Sequence, residues 1–234
     1  MHQFYNCYQL ANDRDIFFGV RMKAIFLGSI GVIAETSELQ RKAYNAAFAE
    51  FGLDWYWSIA NYCDMLKNPG GFSRIQHFSK GLLSDDEIAS IHQKKEAFFN
   101  QYLSDGVAPR PGICECLAHC KENDIQLGLI TTTTKNKIAT LAHALKNYID
   151  LSDFDLITTK DDVSKEKPNS EIYSYALARF GLSATEVIAI EDTEVNQAAA
   201  LKEDIFCYLY AGEYASTNYN LNLINNIETL FRID

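Results

Sequence analysis

Chemistry-bearing residues cluster at the ends of apolar runs in this chain. Glu191-Asp192 follows Val187-Ile188-Ala189-Ile190. Two carboxylates at such a junction suit Mg²⁺, which takes oxygen ligands, and they equally suit capping of the helix that follows. Thr131-Thr132-Thr133-Thr134-Lys135 follows Leu129-Ile130, a row of hydroxyls that is also simply β-favourable. Lys167-Pro168 opens the helical pattern Glu171-Ile172-Tyr173, a common way to start a helix whatever the lysine does. One further place is notable for what it lacks. Lys23-Ala24-Ile25-Phe26-Leu27 reads as a buried strand running into the tight turn Gly28-Ser29-Ile30-Gly31, the kind of turn that carries a catalytic carboxylate. No carboxylate is there.

These groups need a frame. Short apolar runs at 23–27, 126–131, 154–158, 187–190 and 205–210 read as strands, several of them suited to a sheet covered on both faces. Amphipathic stretches at 112–123, 135–147, 169–180 and 193–202 read as helices, with a last helix near 221–231. Pro111-Gly112 and Pro168-Asn169 mark helix starts, and Gly181 lies just past a helix end. The alternation predicts an α/β fold, a Rossmann-like doubly wound parallel sheet. Residues 36–108 break the alternation with helical spacing only: Leu39, Ala43, Ala46, Ala47 and Phe48, then Ile88, Ile91, Phe98 and Tyr102, around the loop Asn68-Pro69-Gly70-Gly71. We expect an α-helical cap at 36–108, placed over the carboxyl ends of the strands, where open α/β sheets bind ligands. The α/β core is then 22–35 with 109–234, and residues 1–21 form an N-terminal extension with neither a signal peptide nor a membrane span.

Composition narrows the partners. At 234 residues and a net charge of −10, the chain is poorly suited to nonspecific nucleic-acid or anionic-membrane binding. A small phosphorylated metabolite is still compatible, because a few basic groups and helix N-termini can override the net field. Six cysteines are too few for a disulfide framework in a chain of this length, and a reducing cytoplasm is the expected compartment. Cys114, Cys116, Cys120 and His119 invite a metal reading. In a helix, though, Cys116 and Cys120 share the apolar stripe of Ile113 and Leu117, so core thiols are expected.

In this order and spacing the motifs resemble the haloacid dehalogenase (HAD) superfamily, in its branch with a helical cap after the first strand. That branch holds phosphoglycolate phosphatase and β-phosphoglucomutase, and within it the chain is most similar to the CbbY-type sugar-phosphate phosphatases. The likeness runs from Met22 onward. It includes Ala34-Glu35-Thr36, Arg41-Lys42-Ala43-Tyr44-Asn45-Ala46-Ala47-Phe48, Gly70-Gly71-Phe72-Ser73-Arg74-Ile75 and Arg110-Pro111-Gly112. The resemblance implies that Thr132 hydrogen-bonds a phosphoryl group, that Lys167 is the lysine of the family's third motif, and that Asp192 and Glu191 serve Mg²⁺. It also implies an Asp-x-Asp turn after the first strand, whose first aspartate attacks phosphorus and whose second is general acid and base. Here Gly28 and Ile30 stand at those two positions. Gln40 stands where the branch usually carries histidine, and Ser37 where it often carries glutamate.

Glycine cannot form an acyl phosphate, and isoleucine cannot transfer a proton. Losing a nucleophile costs on the order of 10⁴–10⁶ in rate. The expectation is therefore a phosphatase-like protein inactive in that reaction, with a weak or vacant Mg²⁺ site and with Lys167 paired directly to Asp192 or Glu191. It would retain a phosphate or sugar-phosphate site built from Thr132, Lys167 and the cap residue Arg74, which could instead face solvent. Two alternatives stay open. One is an active hydrolase using Glu35, or the Glu191/Asp192 pair, with a water nucleophile. The other is an interaction module presenting Trp55-Tyr56-Trp57 with Tyr62, aromatics that could equally be core.

Overall fold

Two short strands, β1 (Ile16–Phe17) and β2 (Val20–Arg21), pair antiparallel, and the chain then enters β3 (Ala24–Leu27), the centre of a five-stranded parallel sheet. On one side of β3 lie β4 (Gln126–Leu129) and, at the edge, β5 (Leu156–Ile157). On the other side lie β6 (Val187–Glu191) and the edge strand β7 (Phe206–Leu209), giving the order β5-β4-β3-β6-β7. This computed structural model describes residues 16–17, 20–66, 70–215, 217 and 222–230. Every residue of β3 and β6 is buried, because helices cover both faces of the sheet. Side chains alternate accordingly. Ile25, Leu27, Leu129, Ile188 and Ile190 pack on one side, and Ala24, Phe26, Ala189 and Cys207 on the other.

The chain runs from β3 outward through β4 and β5, then returns to the other side of β3 for β6 and β7. The strand order reverses beside β3, the point at which open sheets leave a crevice at the carboxyl ends. Register decides what enters it. Leu27 is level with Leu129 on one side and Ile190 on the other, so Gly28, Ile130 and Glu191 stand at one height across the three strands.

Between β3 and β4 the chain first forms α1 (Ser37–Glu50), α2 (Ile59–Met65), α3 (Gly71–Ser79) and α4 (Asp85–Ser104). They close around Tyr44, Phe48, Trp57, Tyr62, Ile75, Ile88 and Ile91. The expected aromatic surface patch is therefore not formed. Trp57 and Tyr62 are buried, Trp55 packs edge-on against Phe48 and Phe78, and Tyr56 alone of the four is exposed. A small helical unit has little volume to fill, and large rings fill it.

The crossovers of the sheet are α5 (Ile113–Glu122), α6 (Lys135–Leu145), α7 (Glu171–Phe180) and α8 (Glu194–Leu201), close to the predicted bounds. Thr134 and Thr193 cap α6 and α8 through their hydroxyls, accepting from Lys137 N at 3.3 Å and Asn196 N at 3.3 Å. Cys116 and Cys120 are buried in the core and Cys114 is exposed, as their places on the helix require.

The C-terminal expectation needs correcting. No helix covers 222–226. Instead Leu209 N donates to Asn222 O and Ile224 N to Leu209 O, both at 2.9 Å, laying this segment along β7. It satisfies backbone groups that an edge strand would leave open. A 3-10 turn at Ile227–Leu230 follows, entered where Asn226 Oδ1 accepts from Glu228 N at 2.9 Å. Of the expected extension at 1–21, all but β1 and β2 lies outside the described residues, as do Asn68 and Pro69 of the predicted loop and the two ends, 221 and 231, of the predicted last helix.

Candidate functional site

A cavity of about 290 Å³ opens at the carboxyl ends of β3, β4 and β6. Its walls bring together Ser29 and Ile30 from the first turn, Thr131, Thr132 and Thr133 from the second, Lys167, Glu191, and Asn196 from α8. Residues from four separated stretches of sequence thus meet where the strand register places them.

The hydroxyl side is rigidly organised. Ser29 Oγ donates to Thr131 Oγ1 at 3.0 Å across the β3–β4 gap. Thr131 N donates to Thr158 Oγ1 at 2.8 Å, and the buried Thr158 hydroxyl donates in turn to Thr131 O at 2.9 Å. Thr132 Oγ1 accepts from Lys167 N at 3.4 Å, which ties the second turn to the lysine loop. Thr158 is a supporting residue that sequence reasoning missed, although it lies within the run expected to form β5.

The charged side is a closed pair. Lys167 Nζ donates to Ile130 O at 2.7 Å and to Glu191 Oε1, which also accepts from Tyr173 OH. Glu191 is 1% exposed, and the Lys167 side chain 8%. Burial first, then the charge of Glu191, pushes the Tyr173 phenol well above its ordinary value, so it serves as a donor. Lys167 pairs with Glu191, one of the two partners expected for it. The other, Asp192, accepts from Asn196 Nδ2 at 3.0 Å. Burial, reinforced by the Glu191 charge, raises the Asp192 carboxyl to about 6.

Two glycines make these positions possible. A Cβ on Gly28 would stand 2.6 Å from Glu191 Oε2 and 2.9 Å from Val32 Cγ2. Gly31, at φ +88°, lies so close to Asp192 that a Cβ would stand 2.7 Å from the aspartate's own Cβ. Each carboxylate occupies space that an ordinary side chain on the first turn would claim.

Surrounding groups position the turn. Arg110 donates to Gly31 O, to Tyr210 O at 2.8 Å and to Ala211 O at 2.8 Å, with its guanidinium 3.4 Å over the Tyr210 ring. It joins the return from α4 to the first turn and to the loop after β7. Glu35 accepts from Ser37 N at 2.7 Å and Glu213 N at 2.8 Å, a structural contact at the entry to α1.

Arg74 does not line this cavity. Its Nε donates to Met65 O at 3.2 Å beside a separate depression of about 450 Å³ that also involves Ser73, Gln76 and His77. Lys95, which sequence reasoning missed, is 3% exposed. Its Nζ donates to Gln40 Oε1, donates to Glu96 Oε1 at 2.9 Å, and lies 4.8 Å from the Tyr44 ring centre. Burial lowers its pKa. The signal was present: Lys95 interrupts the apolar stripe Ile88, Ile91, Phe99.

A Rossmann-like parallel sheet, reversing beside β3 and gathering its polar groups at the carboxyl ends, defines an α/β protein with its ligand crevice at the strand switch point. The family model for haloacid dehalogenase-like hydrolases matches residues 31–209, and the chain belongs to that family. Protein CbbY of Cereibacter sphaeroides is 34% identical over 197 residues, 82% of this chain and 86% of the relative. Protein CbbY of Rhodobacter capsulatus is 32% identical, covering 83% and 88%. Among solved structures, CbbY from Rhodobacter sphaeroides in complex with phosphate superposes with a TM-score of 0.73 at 30% identity, covering 90% of this chain and 96% of that one. A variant of the same protein in complex with xylulose-(1,5)bisphosphate gives 0.73 at 30% identity, covering 88% and 95%. The family match begins at Gly31, just past the two positions that lack carboxylates. Among the described residues, no helix is long and apolar enough to cross a membrane.

Proposed function

We propose that this chain is a noncatalytic member of its family that binds a phosphate or sugar phosphate at the core cavity. One observation carries the reading. The two positions where the resemblance expects reacting carboxylates hold Gly28 and Ile30, while the hydroxyls, the lysine and the amide around them remain in one cavity. With no nucleophile on β3 and no proton-transfer group at residue 30, binding without turnover is what the remaining chemistry supports. Similarity to proteins crystallised with phosphate and with a pentulose bisphosphate supports a phosphorylated ligand.

The residues present do not fit Mg²⁺, the cation that members of this family generally use. Glu191 Oε1 is committed to Lys167 and Tyr173, and Asp192 Oδ1 to Asn196. Among the described residues no three His, Cys, Asp or Glu side chains converge to hold a metal. A small cation that dehydrates reluctantly gains little from such a set. Phosphate binding in this reading uses the lysine, the hydroxyls and the amide alone. The α1–α4 unit is read as a cap over this cavity, and Arg74, on α3, as a contact for the ligand's far end when the cap moves.

Calorimetric titration of the purified chain with a panel of sugar phosphates, alongside a sensitive phosphate-release assay on the same compounds, tests the reading. Saturable heat without release supports it. Release that disappears in Asp192→Ala replaces it with displaced catalysis, and no heat from any compound rejects a phosphorylated ligand.

A further inference from the structure

Lys167 is the only cation lining the core cavity among the described residues, and its charge is already matched by Glu191. An incoming anion therefore meets a neutralised lysine and the carboxylate that neutralises it. Glu191 is held by Lys167 and Tyr173 and borders Gly28. Its Oε2 lies 2.6 Å from where a Cβ on Gly28 would be, so a side chain at residue 28 would make the carboxylate shift, along with Val32 Cγ2 at 2.9 Å. The hydrogen bonds to the Glu191 carboxylate, from Lys167 and Tyr173, both fall on Oε1. Oε2, turned to the first strand, fills the volume left open there.

We infer that Glu191 is the specificity-determining residue of this site: seated in the empty side-chain space of Gly28, it holds Lys167 closed against anions. An anion reaches Lys167 only when Glu191 swings away. The inference rests on the reading that the cavity takes a phosphate. It adds that the glycine at residue 28 makes a neighbouring carboxylate a competitor for the site's lysine. Two unit charges a few ångströms apart in a partly buried site repel strongly enough to change affinity by about tenfold or more.

Two independent variants relieve the competition by different means. Glu191→Gln removes the charge while keeping the side chain's shape and its hydrogen bonds to Lys167 and Tyr173. Gly28→Ala leaves every charge in place and displaces the carboxylate sterically. Inorganic phosphate is titrated calorimetrically into the natural chain and both variants, in buffer treated with a chelator so that no divalent ion bridges carboxylate to phosphate. Thermal unfolding checks that each is folded. Both variants should bind phosphate about tenfold or more tighter than the natural chain, and adding Lys167→Met to Glu191→Gln should abolish the gain. Equal or weaker binding in a folded variant overturns the inference and leaves the phosphate reading standing. No saturable binding in any of the proteins overturns both.

Discussion

Tyr214 donates a 2.6 Å hydrogen bond to Glu38 Oε2, fastening the loop after β7 to the first helix of the four-helix unit. The same carboxylate takes two hydrogen bonds from Arg41, at 2.7 and 2.8 Å. The Tyr214 ring packs edge-on against Tyr62, so one residue of the core loop reaches both the helix entry and the aromatic interior above it.

Arg41, then Tyr214, holds the Glu38 carboxyl down at about 2 against some cost of burial. A depressed carboxylate contributes stability that is fully present above its ordinary value and is lost as pH falls toward 2. Glu38→Gln should therefore match the natural chain near pH 2 and fall behind it above pH 5 in urea denaturation. A gap of the same size at both ends of the range would show that the contact is not electrostatic.

Tyr214→Phe removes the hydroxyl and keeps the ring. About 1 kcal/mol of stability should be lost. Amide exchange should quicken around Gly212 to Ala215, whose backbone is secured by Glu35 and by this contact. Unchanged exchange there would mean that the loop is held by other groups.

The Asp192 carboxyl, raised to about 6, works in the opposite sense. The folded state holds its proton more tightly than the unfolded chain, so this group lowers stability as pH rises from about 4 to 6. Asp192→Asn should leave stability at pH 4 nearly unchanged. Above pH 6 it should add up to about 3 kcal/mol in metal-free buffer, two pH units of differential protonation. A variant less stable than the natural chain at pH 7 would show that the ionised aspartate is well accommodated.

Lys167→Met should destabilise the fold by about 3–5 kcal/mol, because it strands the buried Glu191 charge. Adding Glu191→Gln should recover a large part of that loss. A double-mutant cycle by chemical denaturation measures the coupling, and additive effects would contradict a direct buried pair.

The double variant Gly28→Asp/Ile30→Asp tests how much of the family's reactive arrangement persists. It should gain turnover on sugar phosphates, and only with millimolar Mg²⁺. The aspartate introduced at position 28 would set a third carboxylate against Glu191 and Asp192, and a cation is needed to hold the three together. Turnover undiminished by chelation would contradict this account.

Most of this fold can be read from sequence because each strand is an apolar run too short and too uniform for a surface helix. Ala24–Leu27 and Val187–Glu191 fall within a residue of their expected places. The segment at 222–224 misleads because its periodicity fits a helix, while its real role depends on the unpaired edge of β7, which local sequence does not contain. That the first turn holds no carboxylate is legible from residue types alone. Where Glu191 points is not, since two adjacent carboxylates after a strand look alike in one dimension. Only the space beside Gly28 separates the one bound to Lys167 from the one bound to Asn196.

The level alignment of Leu27, Leu129 and Ile190 has a consequence for which positions of the site the sheet itself constrains. The pairing of β3 ends one residue below the site. Residues 28 and 30 stand above that line: Gly28 brings no side chain, and Ile30 packs against the core and bridges to Ala34. Residue types at 28 and 30 can thus differ without changing any of the paired positions of β3.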